Sequence, residues 1–297
     1  MGALVEINTD GLAKLAETIS FALGGTARGE RKMADAKAYA AELEAKTKNK
    51  VALIEAQGQD ALANYVAAKE ARKMRNTVAV IEKAQAHFIE GEKVSDEPVD
   101  EGWKNRFFGI VEEISDDELR EIWGRVLAGE VKHPKSYSLR TLDILRNMTK
   151  EEAALVVKAA PFVMKNECVY KDCSLSLKEK LALQEIGIML EEGLGLQYKW
   201  NVKAHSEHIE VINTNDVVCL RNDSDKEILC APNVYKLSTA GREIFNLVNI
   251  DYNNRRLLYE QLADAFKKEG LSHFSVHKIV GLSKTEARYE IKGEDFL

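Results

Sequence analysis

Proline and cysteine are both scarce in this 297-residue chain, with four of each. Scarce proline leaves long helices uninterrupted, because a proline inside a helix removes a backbone donor and clashes with the preceding turn. The cysteines are Cys168, Cys173, Cys219 and Cys230. In a chain this large without an export signal they are expected as reduced thiols. A four-cysteine zinc site wants two tight pairs. Cys168 and Cys173 reach only the edge of that spacing, and Cys219 and Cys230 fall outside it, so no metal is expected. No apolar run approaches the ~18 residues of a membrane span. The opening MGALVEINTDG places acids where a signal peptide needs basic residues, and Glu6 stands where the myristoylation pattern wants Ser or Thr. The expected location is the cytoplasm, with a peripheral position at the inner membrane as the extension of that reading. Phosphate-binding and nucleophile signatures are missing too: there is no G-x-x-x-x-G-K-[ST], no G-x-G-x-x-G after a strand and no G-x-S-x-G. His205 and His208 lie three apart in a strand or loop, not on one helical face as H-E-x-x-H requires. The sequence therefore predicts no catalytic residue, no cofactor and no enzyme.

Hydrophobic residues make up 45% of the chain and charged residues 30%, a globular balance sufficient to bury a core. The length corresponds to about two domains of ~150 residues. The net charge of -6 disfavours indiscriminate binding to nucleic acid. Residues 11–23 place Leu12, Leu15, Ala16, Ile19, Ala22 and Leu23 on one helical face, with Asp10 as cap and Gly24-Gly25 as stop. This amphipathic helix (1–26 with its flanks) is expected to pack within its own fold or oligomer, or to lie on a membrane surface.

Residues 27–92 are Ala-rich and free of proline. Alanine with Glu, Lys, Gln and Arg favours helix, and an unbroken run would reach roughly 90 Å at ~1.5 Å per residue. Ala40, Val51 and Leu62, like Leu43, Ile54 and Tyr65, recur every eleven residues, which fits a nearly straight or slightly right-handed coil. The segment is expected to be an oligomerisation stalk or a helix folded back on its own domain. Lys69, Arg72, Lys73 and Arg75 form a basic cluster on it, read either as a solvated face with interleaved acids or as a site for an anionic partner.

An acidic linker with Gly91 and Pro98 leads into a helical bundle over 99–165. Trp103, Phe107, Phe108, Ile110 and Val111 supply its apolar face. Ser115 and Glu118 have capping-box spacing before a helix through Trp123 that ends at Gly129. Ser136 or Ser138 starts the next helix, in which Asp143 pairs with Arg140 or Arg146. Thr149 and Glu152 make a second capping box before a helix ended or kinked by Pro161. Residues 174–297 mix helix and strand: a helix over 177–192, β-prone stretches at 196–202, 208–212 and 217–221, a helix from 255 to 268 and a closing hairpin.

The run Tyr235–Ile244 resembles the final wing strand of a winged-helix domain entering a helix through an Ala-Gly turn. Residues 175–250 hold eight Lys and Arg against eleven Asp and Glu, so protein docking fits such a module better than DNA. A wider resemblance rests on Glu70-Ala71-Arg72 with Asn76, on Asp100-Glu101-Gly102-Trp103 with Phe107-Phe108, on Ile114–Leu119 running into LREIWGRVLAGE, and on Pro134–Leu142. These stretches are similar to the bacterial domain of unknown function 2806 family, except that Lys135 stands where that pattern has Gly. The Trp-containing helix is also similar to abortive-infection proteins of antiphage defence, which share the plan of helical stalk and helical module. The resemblance implies a mainly α protein with a smaller α+β part: stalk, helical bundle and winged-helix-like module. It further implies a homo-oligomer with a protein partner in phage defence, the alternatives being a membrane-surface effector or a winged-helix regulator. Candidate interaction residues are Leu12, Leu15, Ile19, Lys69, Arg72, Lys73, Arg75, Trp103, Trp123 and Arg140; core or structural packing is the favoured reading for Trp103, Trp123 and Arg140, since aromatic residues at helical spacing usually build cores.

Overall fold

A computed structural model describes residues 9–22, 61–89, 92–190, 195–213, 216–248, 252–282 and 287–296. Helix predominates, with a smaller share of strand. The chain divides into two compact units, residues 1–146 and 147–297. The division falls inside the 99–165 segment that the sequence reads as one bundle.

The first unit is helical. It comprises α1 (Thr9–Ala22), α2 (Ala61–Gln85), α3 (Glu101–Val111), α4 (Asp117–Lys132) and most of α5 (Leu139–Asn147). Asp10 lies inside α1 and is not its cap. Buried Leu15 and Ile19 lie on α1, which packs on α3 and α4, and Lys14 donates to the Ser95 carbonyl at 2.5 Å. The eleven-residue spacings fall mainly on residues 27–60, outside the described residues. The described end of the expected stalk is a packed helix: Val80, Ile81 and Ala84 of α2 are buried, and α4 is its main neighbour. Gly124 makes this approach feasible, since a Cβ there would lie 2.6 Å from the Lys83 Cβ and 2.9 Å from the Ala84 nitrogen.

Aromatic residues fill the space beneath. Trp103 stacks on Phe107 with centroids 4.8 Å apart, and Trp123 meets the same ring edge-on at 5.7 Å, geometries that aromatic pairs favour. The Trp103 indole N–H donates to the Tyr137 carbonyl at 2.8 Å. Glu130 is 1% exposed, and its carboxylate accepts from the Lys135 and Tyr137 backbone N–H groups at 2.7 and 3.0 Å. A buried carboxylate needs such partners, and here they fix the turn between α4 and α5. Asn76, also buried, donates to the Glu112 carbonyl at 2.9 Å and accepts from Arg120 at 2.8 Å. It thus ties α2 to the end of α3 and the start of α4.

Several helix starts differ from the sequence reading. The α4 cap is Asp116, not Ser115: one carboxylate oxygen accepts from both Glu118 N–H and Leu119 N–H. The same helix continues past Gly129 to Lys132. Asp143 pairs with Arg106 of α3 at 3.6 Å, a neighbour in space that helical spacing does not reveal.

The second unit opens with α6 (Lys150–Ala159), started by the expected Thr149–Glu152 capping box. A 3-10 turn follows with Pro161 inside it. Next come β1 (Val163–Met164), β2 (Cys168–Tyr170), α7 (Leu177–Glu185), β3 (Leu196–Gln197), β4 (Trp200–Val202), β5 (Ser206–Asn213), β6 (Asp216–Asn222), β7 (Ile228–Cys230), β8 (Asn233–Lys236), α8 (Thr239–Phe245), α9 (Tyr252–Lys268), β9 (His273–Leu282) and β10 (Ala287–Asp295). They form sheets of order β1-β2-β8-β3, β10-β9-β6-β5 and β4-β7, with antiparallel pairing throughout. Helix α7 stops before 192, at the left-handed Gly187 (φ 81). The Ala-Gly of the Tyr235–Ile244 run lies in the first turn of α8, not in a turn before it, and Ser238 is the cap. Trp200, Phe266 and Phe274 meet edge-to-face in the core.

Lys135 sits at φ 73, in the left-handed region that costs a side-chain-bearing residue about 1–2 kcal/mol. Its ammonium pairs with Glu97 at the surface, where such pairs contribute little. Lys135→Gly is therefore expected to raise stability by up to about 1 kcal/mol, read as a higher urea midpoint at unchanged slope. A lower midpoint would show that the Glu97 pair outweighs the backbone strain.

Candidate functional site

The sequence-predicted residues do not come together. Leu15, Ile19, Trp103 and Trp123 are core residues, and Leu12 is half-buried. Burial removes these four from any docking face and assigns the aromatic pair to packing. Lys73 pairs with Glu112 at 2.5 Å and Arg72 with Glu113 at 3.3 Å. Both carboxylates lie at the C-terminal end of α3, where the helix dipole disfavours negative charge, so these basic residues compensate a local electrostatic cost. Lys69 and Arg75 are exposed on α2, and Arg140 is exposed on α5.

A different set of side chains converges on the outer side of α3 and α5. Gly102, Asn105, Arg106 and Gly109 occupy one exposed stripe of α3 at steps of three and four. With Ile110, Leu139 and Arg146 they line an open groove of about 440 Å³. Ile110 gives it a buried apolar floor, and Leu139, 45% exposed, gives an apolar wall. Two guanidinium groups stand on its rim, and Arg106 pairs with the nearby Asp143 carboxylate. Gly109 has no steric reason within the unit, because a Cβ there would meet nothing within 4 Å. Gly109 lies in the last turn of α3, where a glycine costs up to about 1 kcal/mol relative to alanine. Sequence reading passed over this stripe; its signal was a pair of glycines seven apart inside an otherwise helical pattern, which calls for a local reason.

The second unit has a dense polar cluster around Glu210 of β5. Its carboxylate accepts from the Lys165 ammonium and the Trp200 indole N–H and from the Tyr198 hydroxyl at 3.1 Å, with His208 at 3.5 Å. Burial pushes the Glu210 carboxyl up, but the bonds from Lys165, Trp200 and Tyr198 more than offset it and hold the group below its ordinary value. Such an acid has few acceptor positions left for a substrate; it braces the β1–β2 turn and β4 against β5. Nearby, Tyr259 donates to buried Asp216 at 2.5 Å. Arg255 stands 3.6 Å from Asp216, and its Nη1 has no hydrogen-bond partner, so a small shift of the guanidinium would close that pair. Burial pushes the Cys168 and Cys230 thiols up to about 12, which suits packing and not nucleophilic attack. Among the described residues, no three of His, Cys, Asp and Glu are arranged to hold a metal ion.

Two expectations follow. Gly109→Ala should stabilise the first unit by up to about 1 kcal/mol, since it adds helix propensity and no clash. Gly124→Ala should destabilise it by about 1–3 kcal/mol through overpacking against α2. Equal effects of the two substitutions in urea unfolding would contradict the distinction. For Glu210, the folded pKa lies below the unfolded one, so its contribution is complete above the unfolded pKa of ~4.3 and is lost as pH falls through the folded value. Glu210→Gln should cost about 1–3 kcal/mol at pH 7, and the gap from wild type should shrink below about pH 4. A gap independent of pH would refute that assignment.

The first unit and the start of the second contain the stretch that compares with other proteins. No curated protein and no solved structure matches the chain. Residues 62–171, which run from α2 to just past β2 and include the groove, match the sequence model of the family described as Protein of unknown function (DUF2806).

Proposed function

We propose that this chain is an oligomeric, non-enzymatic interaction protein of a bacterial phage-defence system, which senses or recruits a protein partner through the exposed α3–α5 face. The groove carries this reading. It is the place where an apolar floor, exposed Leu139 and two arginines meet on a surface that the unit's own packing does not explain. The aromatic signature residues are engaged in the core, and the Glu210 carboxylate accepts from Lys165, Trp200 and Tyr198. The defence context comes from the similarity of the LREIWGRVLAGE segment to abortive-infection proteins. The winged-helix-like character of 174–297 draws support from β8 entering α8 through the Ser238 cap, and the acid excess there favours a protein partner over DNA. The membrane-surface alternative loses its main support, because Leu15 and Ile19 are buried. Among the described residues no helix is long and apolar enough to cross a membrane.

The test is phage plaquing on bacteria carrying this gene in its native operon, compared with the same operon lacking the gene and with one encoding Gly109→Trp. Expected is a large gene-dependent loss of plaques that the substitution abolishes. Unchanged plaquing across a broad phage panel refutes the defence role. A monomer in light scattering of the full chain refutes the oligomer.

A further inference from the structure

We infer that the α3–α5 groove binds an acidic segment of a partner protein, one that lays an apolar side chain against Ile110 and Leu139 while its carboxylates meet Arg106 and Arg146. The inference rests on the reading of this face as an interface and names what occupies it. Charge complementarity selects the occupant. The residues lining the groove include two arginines and an asparagine but no acid, on a chain whose net charge is -6. An arginine presents a planar fork of donors that matches a carboxylate in two-point fashion. The apolar part argues for a peptide. Leu139 is 45% exposed and lines the groove together with buried Ile110, so the groove offers apolar contact area to a side chain that neither a phosphate nor a sugar backbone carries. Nucleic acid would require several neutralised phosphates for useful affinity, and two arginines supply too few.

Gly109 adds the shape. The space above it is open, so a backbone or small side chain can come close to the α3 axis in the groove that the two arginines also line. The Arg106–Asp143 pair, at 3.6 Å and about half exposed on both sides, is loose enough for the guanidinium to turn towards an incoming carboxylate, since exposed pairs of this kind hold only weakly.

The probe is a short fluorescein-labelled peptide with Leu at helical spacing and Glu at the other positions. A second peptide with Lys in place of Glu, inorganic phosphate and phosphatidylglycerol vesicles serve as comparisons. The full-length protein should bind the acidic peptide with a Kd of roughly micromolar order that weakens as salt rises. Gly109→Trp, which fills the groove, and Arg146→Glu, which reverses one rim charge, should each weaken it at least about tenfold, while the Lys peptide and phosphate show no binding. Should Gly109→Trp lose the wild-type melting transition, Arg146→Glu decides. No binding of the acidic peptide by wild type overturns the inference, as does binding that survives both substitutions. Equal binding of the Lys peptide, or groove-dependent capture of phosphate or vesicles, also overturns it. If Gly109→Trp abolishes defence in the plaque assay while the peptide fails to bind, the interface stands and its acidic occupant falls.

Discussion

The first unit depends on how closely α2 and α4 approach at Gly124. With no side chain at that position, the backbone of α4 lies against Lys83 and Ala84, and the polar contacts along the seam are consistent with that spacing. Asn76 spans to Glu112 and Arg120, Lys83 reaches Asp117 at 3.1 Å, and His87 reaches Glu121 at 2.9 Å. Each of these is short-range in a strict sense, because hydrogen bonds weaken steeply with distance and angle. A side chain at 124 would force the helices apart and loosen the whole series. The stack of Trp103, Phe107 and Trp123 sits within this frame, and α5 inherits its position through Glu130, which gathers the turn residues Lys135 and Tyr137.

Sequence patterns revealed this arrangement where the determining interaction was local. The capping box at Thr149 and Glu152 is satisfied within four residues and appears as read. Ser138 likewise caps α5, its hydroxyl accepting from the Thr141 N–H at 3.3 Å. The α4 start was misplaced by one residue because Ser115 and Asp116 are both good caps, and only geometry shows that the carboxylate reaches two N–H groups at once. The strands β5, β6 and β9 were legible from their β-branched residues, and β10 as the second strand of the closing hairpin. Strands β1, β2, β7 and β8 have only two to four residues, too few to display a period of two. The partners of β7 and β8 lie far along the chain, which no local window can sense.

Where the determining interaction is tertiary, local reading drifted in a consistent direction. Alanine-rich α2 reads equally as an oligomerisation stalk or as a helix folded back on its own domain, because alanine is a strong helix former in either setting. The same small side chain is what permits close packing, and Ala84 is fully buried beside Gly124. Asp143 reads as a partner of Arg140 or Arg146 because helical neighbours are the ones a sequence displays; Arg106 of α3 is a partner that only the fold reveals. Trp103 and Trp123 drew attention as rare, large residues, and such residues are consumed first when a core is built. The residues that resemble the family pattern, among them Trp103, Trp123 and Asn76, are thus largely those that hold the first unit together.

That division separates the groups the fold consumes from those it leaves over. Glu130, Asn76 and Glu210 are polar groups whose hydrogen bonds are spent inside the protein, and a group with satisfied partners gains little from a new one. The α3–α5 face differs in kind. Its arginines are solvated, its leucine is half-exposed, and the glycine at 109 lowers helix stability without relieving any internal clash. Natural sequences are locally consistent with their folds, and departures from that consistency concentrate at functional positions. Gly124 and Gly109 show the contrast within one unit. The first is explained by what already touches it, whereas the second lies against open space and relieves no contact within the unit.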